Sequence, residues 1–382
     1  PLAAPLPAES PTPSPVASPA VVEQVAPVPT EWILRYEQAY GFAGLYVPEP
    51  KPAPPAAPPE PPPAETPAPG STLGAVPIPL SNPQTEAKIA LGHQLFFDPR
   101  LSADGTRSCY SCHLNEDGNG GHDPIAIGAG DKKLTRHSPT IWNVGFLKSL
   151  YWDGRAADLE AQATGAWAGG NMGVGKDNLA AKAAEIGAVY AAQFEAAFPG
   201  TDATPDTVVQ ALAAWERTLV CDDTPWDRYQ RGDKSAMTPE QVAGEALFLG
   251  KGACAACHTP PFFTSAATTV DGSFHNVGIG TQDVPEDKVD TGRATVSKAD
   301  ADWAAFRVPT LRHITRTAPY FHDGSVADLT AAVRLMASGG LPNKNRSPLL
   351  ADRGLSDAEI ASVVTFLGAL DCGTSLQKPT LP

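Results

Sequence analysis

The sequence is short of positive charge and of methionine, and it has no long apolar run. Lysine and arginine number 28 against 42 acidic residues, a formal net charge of −14 over 382 residues. That balance argues against a nucleic-acid partner, because phosphate binding draws on a basic surface. An acidic surface suits a basic or neutral protein partner instead. No stretch has the ~20 consecutive apolar residues that a membrane-spanning helix needs, so no transmembrane segment is expected. The opening “PLAAPLPAESPTPSPVASPA” also lacks the charged start and apolar run of a signal peptide. Length, by contrast, is ample: 382 residues suggest more than one domain and a core able to enclose something.

Residues 1–83 hold more than half of the 40 prolines. Such a composition buries too little apolar surface to offset chain entropy, and it favours extended, polyproline-like spacing. It predicts a disordered tether or spacer. One island, “EWILRYEQAYGFAGLY” at 31–46, has the makings of a short helix docked on the body or on a partner. From about Gln84 the pattern turns helical. “TEAKIALGHQLFFDPR” carries apolar residues at helical spacing. “TPEQVAGEALFLGKG” opens with Thr238 as N-cap, Pro239 in the first turn and Gln241 closing a capping box. “SDAEIASVVTFLGAL” repeats that logic with Ser356 and Glu359. Strand signals are few, so the predicted class is mostly α. Long Gly- and Asp-rich loops such as “NEDGNGGHDPIAIGAGDKK” point to function or to wrapping around a ligand.

The chain also repeats itself. “ALGHQLFFDPRLSADGTRSCYSCH” matches “AGEALFLGKGACAACH”, “SPTIWNV” matches “VPTLRHI”, and “YWDGRAADLEAQA” matches “YFHDGSVADLTAAV”. The matches fall in the same order, which predicts two copies of one unit at 84–225 and 226–372, then a tail at 373–382.

Both copies contain Cys-x-x-Cys-His, at Cys109, Cys112 and His113 and at Cys254, Cys257 and His258. This is the attachment pattern of c-type haem: two thiols add across the haem vinyl groups, and the next histidine reaches the iron. Composition gives one such motif by chance in about two sequences in a thousand of this make-up. A shared zinc site would want the pairs about 15–20 residues apart. A thioredoxin-like pair would lack the fixed histidine. We therefore expect two covalent haems c, with His113 and His258 on the irons. Covalent attachment implies export, so the expected compartment is the periplasm or outside, with a signal already removed. Cys221 and Cys372 are left over; they pair in a disulfide or lie apart as buried thiols, and sequence gives no distance.

The second face of each iron decides function: filled in electron-transfer haems, open in reactive ones. In the second repeat Met336 sits thirteen residues after Asp323, in “DGSVADLTAAVRLM”. Ala166 takes that place in the first. This predicts one His258/Met336 haem and one more open haem on His113. Two alternatives stand: Met336 fills a core gap, as methionine often does, or Met172 binds the first iron.

Taken together, “LFFDPRLSADGTRSCYSCH”, “YWDGRA”, “CAACH”, “FRVPTLRHITRTAPYFHDGS” and the downstream methionine resemble the bacterial di-haem cytochrome c peroxidase and MauG family over about 84–372. The resemblance implies two helical cytochrome c-like domains, electron entry at the second haem and peroxide reduction at the first. It puts Trp152 between the haems as an electron relay and Gln162 in the peroxide pocket. Three departures go with it. Ala129 stands where family peroxidases have an iron-capping histidine, so the first site should be open without reductive activation; His122 and His137 lie near enough to substitute. Asn171 stands where the family has a proton-carrying glutamate, and an amide can orient peroxide but not move its proton. His137 replaces an asparagine that helps bind calcium, with the carbonyls of Thr317 and Pro319 retained; imidazole is a poor calcium ligand.

Three functions follow as expectations. The first is a periplasmic peroxidase that reduces hydrogen peroxide with electrons from a small cytochrome c or cupredoxin. The second is MauG-like oxidation of side chains on a partner protein, although MauG itself has tyrosine where Met336 stands. The third is a pure electron-transfer protein.

Overall fold

Threonine, serine and aspartate open most of the helices, each by lending a side-chain oxygen to an N–H that has no partner inside the helix. The computed structural model describes residues 71–382. Most of the proline-rich segment, with the 31–46 island, lies outside the described residues. Within them the chain forms ten α-helices, many short three-residue turns, and one antiparallel pair of two-residue strands, β1 (Phe274–His275) and β2 (Phe306–Arg307). The first half holds α1 (Glu86–Phe97), α2 (Leu159–Ala168), α3 (Leu179–Val189), α4 (Ala191–Ala197) and α5 (Pro205–Glu216). After it come α6 (Pro225–Gln230), α7 (Pro239–Leu249), α8 (Ala294–Ser297), α9 (Leu329–Ala337) and α10 (Asp357–Leu367). The capping boxes expected at Thr238/Gln241 and Ser356/Glu359 are formed. Two more with the same Thr-Pro opening start α5 and α6.

In each half an early helix crosses a late one. α1 packs on α5, and α7 packs on α10. The contact is backbone to backbone, because a glycine stands at each crossing. A Cβ on Gly92 would lie 1.9 Å from the Ala211 carbonyl oxygen, and one on Gly244 would lie 2.1 Å from that of Ser362. Both glycines precede the repeated Leu-Phe, so the repeat encodes the crossing itself. Leu91, Leu95 and Phe96 seal the first crossing against Trp215. Phe248, Phe263 and Phe366 form the matching aromatic cluster in the second.

The repeats also share backbone detail at one constant offset in numbering. Asn143 and His313 are both left-handed, with φ of 61° and 65°. The bridges Leu150 to Ala156 and Tyr320 to Val326 correspond. Asp158 caps α2 as Asp328 caps α9. On this offset Trp152 is the counterpart of His322, and Ala166 of Met336.

Packing begins before Gln84 and continues after Cys372. The Thr72 hydroxyl donates to Asp227, and Leu73 is buried. The Asn82 amide donates to Glu160 and to the Gln210 carbonyl at 2.8 and 2.9 Å. The disorder expected up to residue 83 is therefore corrected for residues 71–83: polar anchors that composition does not reveal hold them to the body. The closing segment is pinned too. Asn115 exchanges two hydrogen bonds with the Leu376 backbone, and the Leu376 side chain joins the core of the first half.

Cys221 and Cys372 form a disulfide. Each follows the last helix of its half, and each backbone is held by the left-handed residue of its own repeat. Asn143 bonds the Cys221 backbone at both N–H and carbonyl. The Cys372 N–H donates to His313 Nδ1 at 3.0 Å. That ring nitrogen accepts, so His313 carries no proton there and is not ion-paired to nearby Asp371. The disulfide closes a separation of 151 residues. Its double replacement, Cys221→Ser with Cys372→Ser, should lower stability by about 2–4 kcal/mol through the freer unfolded chain. A urea midpoint equal to the parent would contradict this.

Candidate functional site

The second Cys-x-x-Cys-His turn lies at the C-terminal end of α7, and its side chains open on a cavity of about 210 Å³. Cys254, Cys257, His258 and Met336 all line it, so α9 does bring the methionine to the same space as the histidine. Most of the remaining wall is apolar, including Phe248, Val308, Leu350 and Val363. Trp152 reaches in from the first half.

Both motif histidines are held the same way. His258 Nδ1 lies 3.2 and 3.1 Å from the carbonyl oxygens of Phe263 and Pro309. His113 Nδ1 lies 3.2 Å from the Asn119 carbonyl and also bonds that of Pro139. A carbonyl only accepts, so the ring proton is on Nδ1 and Nε2 keeps its lone pair. This is the second-sphere arrangement that fixes the tautomer of a metal-binding imidazole and raises its basicity. It also explains the repeated “SPT” and “VPT”: each supplies one of those carbonyls. Burial pushes both imidazoles down to about 4, so both are neutral.

Cys109, Cys112, Cys254 and Cys257 are free thiols. Burial raises all four, with Cys254 pushed up to about 11. A redox pair needs the opposite shift. Among the described residues no cluster of three or more His, Cys, Asp or Glu side chains is placed to hold a metal ion. The thiols, the Nε2 lone pairs and the apolar cavity fit two haems c.

Trp152 is buried and lines the large cavity as well as a smaller one of about 60 Å³ beside it. Its indole N–H donates to the His137 carbonyl at 2.8 Å, and the His137 N–H donates to the His322 carbonyl at 2.7 Å. The His322 ring meets Trp152 edge-on at 6.5 Å and stacks on Phe306 at 3.6 Å. The residue facing Trp152 is thus its own counterpart in the second repeat.

In the first half Gln162 and Ala166 ride on α2, and the Gln162 carbonyl accepts from the Tyr151 hydroxyl. The turn after α2 carries Asn171. Ala129 packs directly on that turn, its N–H donating to the Asn171 carbonyl at 3.0 Å. A Cβ on Gly128 would come within 2.0 Å of the Gly170 carbonyl oxygen, and the Gly130 N–H is held by Asp104 at 2.8 Å. Two departures that lie far apart in sequence are therefore neighbours.

The other candidates separate. Met172 is buried in the core of the first half. His122 is exposed and paired with Asp117. His137 is buried, with Nδ1 on the Asp123 carbonyl. Thr317, Pro319 and His137 do line the small cavity together with Arg307, and among the described residues no carboxylate does. That wall does not suit calcium, which wants several oxygens and negative charge. Arg307 and His322 were missed in the sequence, although both lie in the quoted “FRVPTLRHITRTAPYFHDGS”; the repeat offset alone would have singled out His322.

Residues 86–235 match the family described as Di-haem cytochrome c peroxidase. The cytochrome-c peroxidase IdrP1 of Denitromonas iodatirespirans is 35% identical, covering 82% of this chain and 90% of that protein. The methylamine utilization protein MauG of Methylorubrum extorquens is 35% identical over 81% and 85%. The crystal structure of a MauG-like protein associated with microbial copper homeostasis superimposes with a TM-score of 0.72 at 30% identity, covering 79% and 94%. Its mostly helical fold is shared here. With paired Cys-x-x-Cys-His turns, neutral carbonyl-tethered histidines and relatives alike over most of their length, the chain belongs to the di-haem cytochrome c peroxidase family of oxidoreductases.

Proposed function

We propose that this enzyme is an exported peroxidase that reduces hydrogen peroxide with electrons from a small cytochrome c or cupredoxin. Residues 84–225 would form the peroxide-reacting unit and 226–372 the electron-entry unit. The observation that carries the reading is the large cavity, which gathers Cys254, Cys257, His258 and Met336 with Trp152 in its wall. When bound, the haem irons supply the redox chemistry. The chain's own residues do the rest. His113 and His258 present Nε2, made more basic by the carbonyls behind them. Met336 offers a thioether, a ligand that raises reduction potential and suits electron entry. Trp152, tied by its N–H to a carbonyl rather than to a base, keeps that proton while it bridges the halves. Gln162 and Asn171 orient peroxide through their amides. The disulfide agrees with an oxidising compartment, and among the described residues no helix is long and apolar enough to cross a membrane.

The test is donor-dependent peroxide consumption by the two-haem protein. Turnover is expected, and Met336→Leu should lower it about tenfold or more, equivalent to ~1.4 kcal/mol of barrier. No turnover with either donor class, at full haem content, would remove the reading. Ala129 favours a second one. With no imidazole at that position to cap the first site, oxidation of a partner protein's side chains would show as a mass change on a co-purified protein after peroxide addition.

A further inference from the structure

The described part of the protein buries several arginines, and one differs from the rest. Arg136 pairs with Asp153 and Asp290, Arg217 with Glu160, and Arg312 with Asp227. Arg307 is only 5% exposed, and no carboxylate pairs with it among the described residues. Its Nε donates to the Tyr151 carbonyl at 3.1 Å, and its backbone N–H donates to the Trp152 carbonyl at 2.7 Å. Arg307 lines both cavities. Burial alone lowers its pKa from the ordinary arginine value, with nothing opposing. A guanidinium placed in an apolar interior without a counter-ion is costly, and such groups are retained where an anion completes them. Among the described residues the wall of the large cavity contains no aspartate or glutamate, so none of them supplies an anion. A haem brings two carboxylates, and the planar fork of arginine matches a carboxylate two bonds at a time.

We propose that Arg307 is the counter-cation for the propionate carboxylates of the haem held by Cys254, Cys257 and His258, and that its charge raises that haem's reduction potential. The proposal rests on the reading of this cavity as a haem site. Reduction adds an electron to the centre, and a fixed positive charge in a low-dielectric wall favours the reduced form. Because Arg307 is also bonded to the Tyr151 and Trp152 carbonyls, the charge stands where an electron would leave the second half for the first.

The experiment is a spectroelectrochemical titration of the two-haem protein and of Arg307→Gln and Arg307→Lys, with covalent haem counted by mass. Arg307→Gln is expected to disfavour reduction of the second haem at least tenfold, a fall of 59 mV or more for a one-electron couple. The first haem should move less. Arg307→Lys keeps a charge that can be lost, because a buried lysine titrates readily whereas arginine does not. Its potential should match the parent near pH 7 and fall by pH 10, with no such step in the parent. A change below threefold in Arg307→Gln overturns the proposal. If that variant does not mature, a pH-independent potential in Arg307→Lys overturns it equally. Absence of haem mass on Cys254 and Cys257 would instead overturn the cavity reading beneath it.

Discussion

Gly92→Val and Gly244→Val are each expected to destabilise the protein by more than about 4 kcal/mol, the exceptional end of single substitutions. Ordinary overpacking costs about 1–3 kcal/mol, because neighbouring side chains shift or turn. Here the obstacle is a carbonyl oxygen of the facing helix, 1.9 Å from the new Cβ at Gly92 and 2.1 Å at Gly244. Neither backbone gives way without parting α1 from α5, or α7 from α10. The Cys-x-x-Cys-His turns follow α1 and α7, so parting these helices should also lower haem incorporation. Circular dichroism melts and covalent haem content check both effects. Gly368→Ala is the control: that residue is right-handed, with φ −64°, and an added Cβ meets nothing within 4 Å. It should be neutral or gain about 0.4–1 kcal/mol. A Gly92→Val melt close to the parent would refute the close crossing.

Arg312→Met should cost about 3–5 kcal/mol at neutral pH, since it strands a buried carboxylate. Arg312 and Asp227 both have fully buried side chains and meet in two bonds of 2.7 and 2.8 Å. Burial by itself raises Asp227, but the Arg312 fork and charge, with the Thr72 and Thr224 hydroxyls, outweigh it and leave the carboxyl below its ordinary value. The sign follows. A carboxyl with a depressed folded-state pKa contributes stability that is present above its unfolded value near 3.8 and lost as pH falls through the lower folded value. In Arg312→Met the lowering partner is gone, so Asp227 takes up its proton at higher pH. The difference between variant and parent should be largest near pH 7 and shrink in acid. Urea midpoints across that range measure it. A difference independent of pH would mean that lost packing against Trp226 and Phe263, and not the stranded charge, sets the cost.

Features set by neighbours in sequence were readable from the residues alone. A threonine or serine with a glutamine or glutamate three positions on makes its cap inside one turn, so the starts of α7 and α10 were determined locally. Cys-x-x-Cys-His is likewise one turn of chain, and its recurrence in ordered repeats carried the fold class and the cofactor. The repeat even held the reason for “SPT” and “VPT”, although only the coordinates show their carbonyls behind His113 and His258. Contacts between distant residues were decided by tertiary structure. Cys221 meets Cys372 because two equivalent left-handed residues, Asn143 and His313, present equivalent backbones. Ala129 meets Asn171 because Gly128 puts no side chain against the Gly170 carbonyl of that turn. Arg307 gave no local signal, since an arginine before “VPT” reads as any surface charge. Its burial without a carboxylate depends on where β2 lies against Trp152, a matter of packing that no short stretch of sequence contains.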